Sequence, residues 1–221
     1  MFFKNIWDIV ISDNYMSVIR EPKIAVKELE DQIEKLTYSG ESKPKDFKVE
    51  HTKFPPFIQV FYYLFFASLK IPSENDFIES YINSFGKIEN NHFIFKGEVF
   101  DLGGLKNRIL RTYPSLIRDL HFVYLLIESA KFDKVTYSMR TDYMDGLDIK
   151  ISYLNVDYFI SLFINTSRAQ FYKREKENRH DYAGIKQVEF SVDRFSLKKC
   201  GKILLLTESH IDSLVLTLKT L

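Results

Sequence analysis

The chain has 221 residues, 45% of them apolar and 28% charged, enough apolar material for a packed core and too much for an intrinsically disordered chain. Its 31 Lys and Arg against 30 Asp and Glu leave a net charge of +1, so no global field selects nucleic acid or an anionic membrane, and a charged partner must be read by a local patch. A single cysteine, Cys200, excludes an intrachain disulfide framework and a Cys-based zinc site, and points to a reducing, cytoplasmic setting.

The opening stretch MFFKNIWDIVISD is apolar but carries Lys4 and Asp8 and lacks a basic n-region with a cleavage site, so a signal peptide is not expected. Pro22 to Tyr38 reads as a first helix, with Val26, Leu29, Ile33 and Leu36 in a narrow apolar seam that suits either the chain's own core or a partner helix. Ser39 to Lys53, with Gly40 and Pro44 and no periodicity, reads as a loop or linker. Phe57 to Leu69 is the most apolar stretch. As a helix it spans about 20 Å, short of the ~30 Å of a bilayer's hydrocarbon, so it is predicted as a buried core helix and no membrane partner is expected.

Ser73 is predicted to cap an amphipathic helix that buries Phe77, Ile78, Tyr81, Ile82 and Phe85 and stops at Gly86. Lys87 to Leu102 then reads as a hairpin turning at Asn90-Asn91. Residues 1–105 are thus expected to be a mostly helical region with a linker near 39–53. Residues 106–221 are expected to form a mixed α/β (α+β) domain. In it a helix runs from Tyr113 to Ala130, with Pro114 in its first turn, followed by strands at Val135–Met139, Leu147–Tyr153 and Tyr158–Ile164. A polar helix at Arg168–Arg179, strands at Ile185–Val192 and Lys202–Leu206, and a terminal helix at Glu208–Lys219 complete the order.

The common catalytic patterns are missing: no Gly-rich phosphate loop, no paired zinc ligands and no Gly-x-Ser-x-Gly turn. Two features remain. Asp142, Asp145 and Asp148 gather around Gly146 at the start of the second strand, where carboxylates can hold Mg²⁺ or form a solvated acidic turn. On the polar helix, Ser167 and Gln170 make a capping box, and Arg168, Tyr172, Lys176 and Arg179 recur near one face. With Lys173 and Arg174 set against Glu175 and Glu177, this ridge suits a phosphate backbone, and equally a solvated helix face.

This order, with Gly146-Leu147-Asp148 at the second strand, resembles the PD-(D/E)xK nuclease superfamily. The resemblance covers roughly Tyr113 to Leu221. It implies a helix-three-strand-helix-strand, restriction-endonuclease-like core, with Asp148 as the first metal ligand. It also implies an acidic-x-Lys pair on the third strand, but Asn165 and Ser167 stand at those places. Lys150, two residues after Asp148, would replace the lysine by migration, and Asp145 or Asp142 the second carboxylate.

Three readings follow. The first is a pseudoenzyme: a nucleic-acid-binding accessory subunit of a DNA- or RNA-processing assembly, DNA before RNA, with other protein subunits as partners and no cofactor. Its phosphate contacts are Arg168, Tyr172, Lys173, Lys176 and Arg179. The second is an active Mg²⁺-dependent nuclease, a metal-dependent phosphodiesterase with Asp148 and Asp145 on the metal and Lys150 near the attacking water. The third is a protein–protein adaptor without nucleic-acid contact.

Overall fold

The structure, a computed structural model, describes residues 10–12, 23–40, 43–139, 142, 147–165 and 184–221. Its fold is mixed α/β: among the described residues, six helices pack with a five-stranded sheet, a three-stranded sheet and a two-stranded hairpin.

The longest element is helix α5, Leu102–Glu128. Asp101 caps it through a hydrogen bond from the Gly104 amide. The helix therefore starts eleven residues before the expected Tyr113, and Pro114 lies in its interior. An interior proline frees the carbonyl four residues earlier. That carbonyl, on Leu110, accepts from the buried Tyr38 hydroxyl at 3.3 Å, so the lost helical bond has a tertiary substitute. Position 105, expected as a domain boundary, falls in the first turn of α5, and one continuous cluster of buried side chains draws on both sides of it.

The N-terminal helices wrap one flank of α5. Helix α1, Val26–Glu34, buries Val26, Leu29 and Ile33, and its first amide donates to Glu128 Oε2 of α5 at 2.8 Å. The apolar seam is thus buried in the chain's own core, which removes it as a surface for a partner helix. The expected loop contains a short helix α2, Phe47–His51, capped by Asp46, which accepts from Val49 N at 2.8 Å. It carries one buried apolar residue, Val49, and so has no periodicity to read. Arg108 binds the Val49 and Thr52 carbonyls, and Arg111 pairs with Glu50, both from α5.

Helices α3, Phe57–Ser68, and α4, Glu74–Phe85, lie close to the predicted spans. They pack an aromatic core of Phe61, Tyr62, Phe65, Phe66, Phe77 and Tyr81. No described helix is long and apolar enough to cross a membrane. Strands β2, Lys87–Glu89, β3, His92–Phe95, and β4, Glu98–Asp101, form a meander. Its first turn is at Asn90-Asn91, with positive φ at both residues, as a two-residue hairpin requires.

The main sheet contains β1, Val10–Ser12, β5, Lys134–Ser138, β6, Ile149–Tyr153, β7, Val156–Ile164, and β8, Gln187–Val192, hydrogen-bonded in the order β1-β5-β6-β7-β8. The pairs β1/β5, β5/β6 and β6/β7 are antiparallel, whereas β8 runs parallel to β7, from Phe159↔Gln187 to Ile164↔Val192. A parallel pair needs a long crossover; the helix expected at Arg168–Arg179 falls in that connection and lies outside the described residues. Ile149 and Ile151 are buried, and the strand alternates as predicted. Strand β1, which the sequence reading did not anticipate, pairs with β5 through Val10↔Ser138.

A hairpin of β9, Lys198–Cys200, and β10, Ile203–Leu205, precedes the last helix α6, Glu208–Lys219. Gly201 at its turn has φ +55, its amide donates to Glu34 Oε2 at 2.7 Å, and a Cβ there would stand 2.8 Å from the Ile33 carbonyl oxygen. Lys202 Nζ donates to the Tyr38 carbonyl at 2.8 Å, completing the seam between α1 and the hairpin. Gly201→Ala is therefore expected to destabilise the fold by more than about 1 kcal/mol, read as a lowered denaturant midpoint; an unchanged midpoint would show that the seam yields.

Two histidines are buried. His121 of α5 is 1% exposed, neither ring nitrogen has a hydrogen-bond partner among the described residues, and Glu30 Oε1 stands 3.5 Å from Nε2. Burial lowers its pKa below the ordinary value, against the opposing pull of Glu30. His210 accepts from the Thr207 amide through Nδ1 at 3.0 Å and lies 2.9 Å from Ser196 Oγ through Nε2, and burial lowers its pKa as well. Groups with a depressed histidine pKa bind protons more readily when unfolded, so their contribution is complete above about pH 6.5 and is lost as pH falls below it. The melting temperature is expected to drop between pH 7 and pH 5.5, and less steeply in His121→Leu; parallel pH profiles for the two proteins would refute the assignment.

Candidate functional site

Where α5 meets the carboxylate-bearing ends of the sheet there is a cavity of about 80 Å³, room for a few waters or a hydrated ion. Val123 of α5, Ile149 of β6 and Leu162 of β7 form its apolar wall. Three carboxylates line it: Asp119, one helical turn before Val123; Asp142, in the β5–β6 connection; and Asp148, one residue before β6.

Asp148 Oδ2 accepts from the Leu162 amide at 2.7 Å, which ties the carboxylate to the neighbouring strand. Asp142 Oδ2 accepts from the Tyr137 hydroxyl at 3.0 Å. Tyr137 is stacked on Tyr62 of α3, ring centres 5.3 Å apart. Burial, reinforced by the charge of Asp142, pushes both phenols far above their ordinary pKa. Tyr137 is therefore a neutral donor, and since the carboxylate only accepts, its proton goes to Asp142.

No Lys, Arg or His is among the described residues lining this cavity. No three His, Cys, Asp or Glu among the described residues are grouped to hold a metal ion directly. Asp148 and Asp142 are the residues that could contribute to a site for an ion such as Mg²⁺, which takes one or two carboxylates and keeps waters for the rest.

The sequence-derived residues divide accordingly. Asp148 is at the cavity, together with Asp142. Lys150 is not: its Nζ pairs with Asp157 at 2.6 Å and lies over the Phe159 ring, its cross-strand partner. Hydrogen bonding to Lys150 holds the Asp157 carboxyl below its usual pKa. Simple alternation puts Asp148 and Lys150 on one face, but the ladder begins only at Ile149. Asn165 lies one residue beyond β7, its amide donating to the Val192 carbonyl at 2.8 Å. Asp145, Arg168, Tyr172, Lys173, Lys176 and Arg179 lie outside the described residues.

Sequence reasoning missed Asp119 and Tyr137. Asp119 had a readable signal, since it falls three residues after Leu116 and four before Val123, an acid on the edge of an apolar stripe. Tyr137 had none, because its partners come from a connection and a distant helix.

The Leu162 amide makes Asp148 structural as well as chemical. Asp148→Ala would leave that donor unpaired and is expected to cost about 1–3 kcal/mol, whereas Asp148→Asn keeps an acceptor and most of the stability. Thermal melts of the two variants check this; equal losses would mean that the bond contributes nothing.

Comparison of the chain with family models, with curated proteins and with solved structures finds no match, so its reading rests on its own residues.

Proposed function

We propose that this chain is a nucleic-acid-binding accessory subunit of a DNA- or RNA-processing assembly, built on a core of the PD-(D/E)xK nuclease type with an incomplete catalytic set. The observation that carries the reading is the cavity, where Asp148 meets Asp142 and Asp119 between a helix and an antiparallel β5-β6-β7 run. It supports the reading because the resemblance likewise implies a helix before three strands, with an acid on the second.

Carboxylates alone repel a phosphate. Asp148 and Asp142 would hold a divalent ion, which when bound neutralises phosphate charge and acts as a Lewis acid. Asp148 is oriented by the Leu162 amide, Asp142 by the Tyr137 hydroxyl, and the apolar wall of Val123, Ile149 and Leu162 limits the water around them. What argues for binding rather than cleavage is that no positive group among the described residues lines the cavity: Lys150 is engaged with Asp157, and Asn165 stands where an acid is needed. The phosphate backbone is then held by Arg168, Lys173, Lys176 and Arg179, with Tyr172 against a sugar or base.

An active metal-dependent phosphodiesterase is the second reading, favoured by one specific observation, that three aspartates rather than one line the cavity. No observation favours the adaptor reading now that the α1 seam is buried.

The test is fluorescence anisotropy with labelled duplex and single strand across a salt series, with cleavage assayed in Mg²⁺ and Mn²⁺. Binding with a log–log salt slope of about −2 or steeper, flattened by Lys173→Ala, Lys176→Ala and Arg179→Ala together, and without cleavage, is the expected result. Cleavage that disappears in Asp148→Asn would establish the second reading instead. No binding to either strand form at low salt would overturn both.

A further inference from the structure

The C-terminal hairpin is fastened at its base by one imidazole. The turn Arg194–Ser196 enters it between β8 and β9, and Thr207 leaves it between β10 and α6. His210, in the first turn of α6 and 6% exposed, touches both. Its Nδ1 accepts from the Thr207 amide at 3.0 Å, and its Nε2 lies 2.9 Å from Ser196 Oγ. An amide only donates, so Nδ1 carries no proton and the ring proton sits on Nε2. Ser196 Oγ donates to the Asp193 carbonyl at 2.7 Å and accepts from Nε2. This direction of bonding excludes His210 as a base for Ser196. It also means that the ring fits its place only when neutral.

We infer that His210 is a pH-sensitive clasp: protonation of its ring uncaps α6 and frees the turn before β9, loosening the base of the hairpin while the rest of the fold stays closed. A proton on Nδ1 displaces the Thr207 amide and leaves Thr207 Oγ1, 2.9 Å away, as its acceptor. It also sets a positive charge among the free amides of a helix N-terminus. The surrounding charges do not offset this. On α6, Glu208 and Asp212 turn to Lys131, at 3.7 and 2.6 Å. In the turn, Asp193 accepts from the Phe195 amide, and Arg194 adds a further positive charge. Strand β10 carries no charged residue. Burial lowers the ring's pKa in the closed form, whereas the opened ring regains the ordinary value of about 6.5. The clasp is therefore fully closed above about pH 6.5 and weakens as pH falls, by up to about tenfold per unit. The opening stays local because Ile211, Leu214 and Leu218 keep the rest of α6 buried.

Amide hydrogen exchange of the full chain at about pH 7.5 and about pH 5.5, read by mass spectrometry and corrected for the intrinsic exchange rate, tests this. In acid, protection of the Arg194–Ser196 turn and of the first turn of α6 is expected to fall several-fold, with a ceiling of about tenfold, while that of α3 changes less. His210→Gln offers the same Thr207 amide an acceptor that does not titrate, in a Thr-x-x-Gln capping box. It is expected to keep the protection seen near pH 7.5 and to lose the acid-induced fall. An equal fall in His210→Gln and the wild type, or a wild-type fall no greater than that of α3, would overturn the clasp. Should His210→Gln fail to fold, the nuclear magnetic resonance titration of His210 in the wild type decides. A ring pKa below about 6.5, with the Thr207 amide signal moving at the same midpoint, supports the clasp, and a ring pKa at or above about 6.5 overturns it.

Discussion

Close to its C-terminal end, α5 is buried on every side. From Leu120 to Leu126 each residue is enclosed: His121 toward Glu30 of α1, Phe122 stacked on Phe190 of β8, Val123 at the cavity and Tyr124 against Phe65 of α3. A helix that is apolar around its whole circumference must be wrapped by the rest of the chain. That constraint sets the architecture. The aromatic helices cover one flank, the main sheet another, and α1 with the C-terminal hairpin closes the third.

The cavity arises where this wrapping ends. Asp119 stands one residue before the fully buried stretch, and Asp148 one residue before its strand becomes a ladder. The carboxylates thus sit on the border between apolar core and solvent, where a charge keeps some of its hydration while apolar neighbours strengthen its field. Groups local to that border hold them, among them a strand amide for Asp148 and the Tyr137 hydroxyl for Asp142. The same core that excludes water from α5 keeps these donors neutral and fixed.

What could be read from the sequence was what depends on near neighbours. The α6 span and the Asn90-Asn91 turn are set by caps and turn chemistry within a few residues, and both are found as expected. The start of α5 was misread because the carbonyl that Pro114 frees, on Leu110, is met by Tyr38, 72 residues before it in sequence. Helix α2 is held by Arg108 and Arg111 rather than by its own pattern. In the site, Asp148 was legible as an acid beside an alternating strand. Lys150 was misplaced because alternation was extended one residue past the ladder, and Tyr137 was illegible because its stacking on Tyr62 exists only once α3 lies against β5.

The seam between α1 and the β9–β10 hairpin also sets an order of events during synthesis. The bond from Gly201 to Glu34 spans 167 residues and that from Cys200 to the Glu30 carbonyl spans 170. At about 5–20 residues per second, a ribosome needs roughly 10–30 s between making these partners. For that time the nascent α1 leans on α5 and, through Gln32, on the backbone of Leu69 and Ile71, and the surface that will receive the hairpin is open to chaperones. The last hairpin to emerge is thus the latch of the whole chain.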